Sequence, residues 1–182
     1  MQQRSGLAFL ALVAMAAAAC ATAMNVSSHV DRGADFTRYQ TFDWGPADAL
    51  PTGDPRLDAN PFFKDHLQGE VEKQLAGRGF TLAKAGSADL LIHYHAHISE
   101  RIDVGSVDKS YGYGGQVRDY EAGTIVIDVV DAKTNKVVWR GWAQDAVKGM
   151  LENEDTIAAK IDEAVTRMLA RLPARTAAGG QR

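Results

Sequence analysis

The sequence predicts an α+β fold: a mostly antiparallel sheet of about five strands with two amphipathic helices on one face. Three observations carry this. Two stretches, 61–75 and 157–172, repeat apolar residues at helical spacing. Several stretches alternate or run apolar at strand length, above all 89–98 and 123–130. Their order, β-β-helix-β-β-β-helix, buries both helical stripes most economically against one sheet face.

The strands and helices follow in order. Val26, Ser28 and Val30 share one face of a short first strand. Tyr39–Trp44 alternates, with Gln40, Phe42 and Trp44 on one side. Residues 45–61 hold four of the five prolines and read as a loop. Asn60-Pro61 is a helix start, since Asn caps and Pro is tolerated at the first helical position. Phe63, Leu67, Val71 and Leu75 then recur every fourth residue, and Gly77 and Gly79 end the helix. A short strand is expected near 80–82. In the strand 89–98, Leu90, Ile92, Tyr94, Ala96 and Ile98 share one face; Leu91, His93, His95 and His97 share the other.

Residues 103–122 read as a polar loop. The apolar run 123–130 and the strand 136–147 form a hairpin through the turn 131–135. Trp139 and Trp142 fall on opposite faces of the second strand, so one is expected in the core. Asp128, a charge inside an apolar strand, is expected to pair with Arg140 across the hairpin. Asn153 begins the last helix, with Glu154 and Asp155 at the end where the helix dipole favours negative charge. Ile157, Ile161, Val165, Met168 and Leu172 form its stripe, and Pro173 ends it. The tail 174–182 is expected to be disordered.

The N-terminus reads as an address. Arg4 is the only charge before Asp31, and Gly6–Ala19 is apolar and Ala-rich. Its last small residues, Ala17-Ala18-Ala19, directly precede Cys20, the only cysteine. This resembles the bacterial lipoprotein signal, with residues 1–19 removed, Cys20 lipidated and 20–24 a tether. The usual Leu three residues before the Cys is Ala17 here. Each buried acyl methylene contributes about 0.8 kcal/mol, and two or three chains give durable anchoring. The resemblance, with Ala21 after the Cys, implies an outer-membrane anchor facing the periplasm. The competing reading is an uncleaved transmembrane helix over 6–24.

Composition narrows the function. The 182 residues, 46% apolar and 24% charged, suit one globular domain. A net charge of −3 argues against nucleic acid as a partner. One cysteine excludes an internal disulfide and multi-cysteine zinc sites. There is no G-x-S-x-G, H-E-x-x-H or P-loop motif.

Two features suggest chemistry. His93, His95 and His97 project from one strand face at spacings of about 6.8 Å. An H-x-H pair of this kind can share zinc or copper, with Asp128, Glu100 or His66 as helpers. The bland alternative is a solvated or strand-paired face. The loop at 103–122 carries Tyr111, Tyr113, Arg118 and Tyr120 among glycines, residue types enriched in recognition of a protein or a glycan. Against it stands a plain hairpin connection.

The segments RYQTFDW (38–44), LAGRGF (75–80), ADLLIHYH (88–95) and GTIVIDVVDAKTNKVVWRGWA (123–143), with the closing helix to Leu172-Pro173, resemble domain-of-unknown-function family 4136 (DUF4136). The resemblance covers residues 25–173. It implies an α+β envelope lipoprotein and no reaction. The expected role is a non-enzymatic interaction or accessory protein with membrane lipid and envelope proteins as partners and no cofactor. The alternative is a periplasmic zinc- or copper-binding protein using the histidine row. A hydrolase is a third, remoter reading.

Overall fold

The computed structural model describes residues 24–46, 53–84, 86–102, 119–147 and 149–175. The signal segment 1–19, Cys20 with most of its tether, Tyr111, Tyr113, Arg118 and the tail beyond 175 lie outside these residues. Among the described residues, no helix is long and apolar enough to cross a membrane.

Six strands form one sheet: β1 (Asn25–Val30), β2 (Thr41–Trp44), β3 (Thr81–Leu82), β4 (Leu90–Ile102), β5 (Asp119–Asp131) and β6 (Lys136–Ala146). Their order is β1-β6-β5-β4-β2-β3. β1, β6, β5 and β4 pair antiparallel, whereas β2 pairs parallel with both β4 and β3. The sheet is therefore mixed and has six strands, where about five and mostly antiparallel were expected. The parallel pairs arise because a helix crosses over between β2 and β3, as a parallel connection requires.

Among the described residues, three α-helices accompany the sheet: α1 (Pro55–Asp58), α2 (Pro61–Gly77) and α3 (Glu154–Leu169). The short α1 corrects the reading of 45–61 as loop throughout. Asp54 caps it and Pro55 occupies its first position. For α2, the Asn60 side chain accepts a hydrogen bond from the Phe63 amide. For α3, Asn153 does the same for Thr156. After α2 the chain turns through Gly79 at φ +89°, a conformation that favours glycine.

The core lies between one sheet face and the long helices. Phe63, Leu67, Val71 and Leu75 of α2 and Ile157, Ile161, Val165, Met168 and Leu169 of α3 are buried there. The sheet contributes Phe42, Leu90, Ile92, Tyr94, Ile127, Val129 and Trp139. Between the helices, the His66 ring meets Asp162 at 2.8 Å, and Gln74 donates to Thr166 at 3.0 Å. Trp139 is the core tryptophan, its ring folded over Gly141 on the same strand.

The β4–β5 ladder runs further than the sequence suggested. It begins at Leu90 opposite Asp131 and ends at Ile102 opposite Asp119. Residues 119–122, expected as the end of the 103–122 loop, are strand, and residues 99–102 carry β4 past its expected end at Ile98. Backbone pairing extends the ladder there regardless of side-chain polarity.

Candidate functional site: the open sheet face

Period-two alternation splits every strand between two faces. The helices cover the face bearing Leu90 and Ile92. The other face bears the histidine row and has no helix packed on it among the described elements.

Strand register organises this open face into rows. One row runs His93–Asp128–Arg140–His29 across β4, β5, β6 and β1. The next is His95–Val126–Trp142–Ser27. A third is His97–Thr124–Gln144–Asn25. Neighbouring members lie about 5 Å apart, the inter-strand spacing.

The first row centres on an ion pair. Arg140 donates from Nε to Asp128 Oδ1 at 2.5 Å and from Nη2 to Oδ2 at 2.6 Å. The pair is lopsided: the Asp128 side chain is 7% exposed and that of Arg140 51%. The expected cross-hairpin pair is present, and it explains how an apolar strand tolerates a carboxylate. The carboxylate in turn holds the guanidinium charged and raises its pKa further.

His93 ends the same row half-buried against the backbone of Gly45. Burial lowers its pKa; Asp128 partly opposes this and His95 adds to it. His95 and His97 stand exposed beyond it. The structure thus keeps the three histidines on one face without gathering them around a point. Among the described residues, no three His, Cys, Asp or Glu side chains converge as metal ligands. Of the proposed helpers, Asp128 is taken by Arg140, and His66 is engaged between α2 and α3. Glu100 belongs to the other side of β4 by alternation.

Trp142 occupies the second row at 38% exposure, and Tyr120 lies on the same face at 39%. Tyr120 is the one described member of the expected Tyr/Arg recognition set. It stands on β5 opposite Arg101 of β4 and is part of the sheet.

Elsewhere the buried carboxylates serve the fold. Asp54 accepts hydrogen bonds from the amides of Arg56 and Ile98, and its ion pair with Arg56 holds its pKa down at about 2. Glu70 accepts from Lys73 and Gln74. A small apolar cavity of about 40 Å³ lies under α3, bordered by Ala96, Ala143 and Ala164 with the Asp145–Lys160 ion pair among its lining residues.

This architecture defines a class: a mixed sheet with two long helices on one face and a polar, ring-bearing face left open. The family model described as Domain of unknown function (DUF4136) matches residues 26–174, and the chain belongs to that family. No curated protein matches it. Among solved structures, a DUF4136 family protein from Bacteroides thetaiotaomicron is similar at 16% identity and a TM-score of 0.53, covering 84% of this chain and 97% of that one. The PelC dodecamer from Paraburkholderia phytofirmans is similar at 12% identity and a TM-score of 0.50, covering 85% of this chain and all of the other. At such identities the likeness concerns the fold.

Proposed function

We propose that the chain is a non-enzymatic lipoprotein of the cell envelope. Cys20 carries the lipid after removal of residues 1–19, and the domain 25–173 is an interaction module facing the periplasm from the outer membrane. Its contact surface is the open sheet face. The observation that supports this best is the asymmetry of the sheet: one face is packed by α2 and α3, while the other exposes Trp142, Arg140, His95 and His97. Trp, Tyr and Arg exposed together on a rigid surface are the residue types that dominate binding hot spots. The buried carboxylates Asp54, Glu70 and Asp128 are all committed to caps and pairs.

Two measurements test this reading. Intact mass of protein from native-like membranes, beside Cys20→Ala, is expected to show a chain starting at Cys20 with acyl chains, lost in the variant. An uncleaved, unlipidated chain overturns the anchor. A photo-cross-linker at position 144 is expected to give adducts in cells. The same probe on the helix side, at position 163, is expected to give none; equal yields overturn the assignment of the contact face.

A further inference from the structure

Trp142 stands within a frame of hydrogen-bonding side chains. Arg140 and Gln144 flank it along β6, Ser27 and His29 approach from β1, and Thr124 lies diagonally on β5. Two of these groups are held in place. Arg140 is fixed by its two hydrogen bonds to Asp128, and the Gln144 amide donates to Thr124 at 3.2 Å. A planar guanidinium and a planar amide thus border an exposed indole. The charges inside the frame cancel, because Asp128 neutralises Arg140.

We infer that this patch binds an uncharged glycan, with Trp142 as the platform on which a sugar ring stacks. The inference rests on the open face being the contact surface. A pyranose offers an apolar C–H face to an aromatic ring, and hydroxyls at its rim that both donate and accept. Trp142 supplies the first requirement; Arg140, Gln144 and His29 supply the second. The neutral frame gives a polyanion or polycation no advantage. The core of a protein–protein contact calls for contiguous apolar area, and among the described residues beside Trp142 only the half-buried Val126 offers any. Tyr120, on the same face of β5 six residues before Val126, adds a second exposed ring about 20 Å away. That separation suits an extended chain of several sugars lying along the strands.

The test is migration of the full-length protein, in mild detergent, through native gels cast with hydroxyethylcellulose, dextran or soluble β-1,3-glucan. Polygalacturonate serves as the charged counterpart. At least one neutral polymer is expected to retard the protein. Trp142→Ala should abolish the retardation, Trp142→Tyr should keep it, and Gln144→Ala should weaken it. Thermal melts of each variant establish that it is folded. Absence of retardation by all three neutral polymers overturns the inference, as does retardation that Trp142→Ala leaves unchanged or that polygalacturonate exceeds. The position-144 cross-linker separates the two levels. Adducts to protein with no retardation leave the contact face standing and remove the glycan; no adducts and no retardation remove both.

Discussion

The backbone of Gly45 lies directly beneath the imidazole of His93. A Cβ added at position 45 would come within 2.3 Å of His93 Cε1 and 2.6 Å of Nε2. Gly45 follows β2 and donates its amide to the Ile92 carbonyl at 2.9 Å, so it cannot easily retreat. Gly45→Ala should therefore destabilise the fold by about 1–3 kcal/mol, the usual cost of overpacking. His93→Ala in the same chain should recover most of that loss. Urea melts of the two single variants and the double variant measure the coupling; simple additivity would contradict the contact.

His93 also sets a pH dependence. Its folded pKa is lowered by burial, so the unfolded chain binds the proton more readily. Stability contributed by the neutral ring is complete above the unfolded value of about 6.5 and is lost as pH falls below it. Urea midpoints at pH 7.5 and 5.5 should differ less in His93→Gln than in the parent chain.

A second window lies lower. Arg56 holds the Asp54 carboxyl at about 2, and the Gln40 amide lowers that of Asp89. Both contribute stability above their unfolded values near 4, and lose it as pH falls through the folded ones. Asp54→Ala also frees the Ile98 amide and the α1 cap, at about 1–3 kcal/mol. Its acid unfolding curve should be shallower than that of the parent.

Arg140→Ala leaves the Asp128 carboxylate poorly solvated and without its partner. We expect a loss of about 1–3 kcal/mol, below the full cost of breaking an interior pair because half of Arg140 meets solvent. Asp128→Ala should cost less, since Arg140 can turn to water. The double variant should sit nearer to Asp128→Ala than to the sum of both, by chemical denaturation.

Zinc should bind weakly and without fixed stoichiometry. His95 and His97 are exposed at strand spacing, His93 is folded onto Gly45, and Asp128 is occupied. Calorimetric titration checks this: a tight one-to-one complex, lost when His93, His95 and His97 are all changed to Ala, would contradict it.

Local pattern made much of this molecule legible. Period two placed His93, His95 and His97 opposite the Leu90–Ile98 face, and a lone charge among aliphatics pointed Asp128 at Arg140. Both signals reside within one strand or one hairpin. The parallel partners of β2 were not legible, because the alternation of Tyr39–Trp44 says which residues share a face and nothing about the neighbouring strand. The Gly45–His93 contact depends on that pairing and was hidden with it. The helix α1 did leave a signal, Asp54-Pro55, submerged in a proline-rich stretch. The strand extensions at 99–102 and 119–122 left none, since backbone pairing continued where side-chain patterning stopped. The setting of Trp142 needed three strands in register.

The register of β1 bears on how the chain acquires its fold. Asn25 pairs with Gln144 and Val30 with Trp139, so the first of the described strands to emerge during synthesis waits for the last of them. Contacts this distant in sequence close slowly. Until the β5–β6 hairpin forms, β1 has no template, and the buried side chains of Met24 and Val26 have no cover. The sheet is therefore completed late, from the C-terminal half backwards, and the N-terminal strand docks as its closing act.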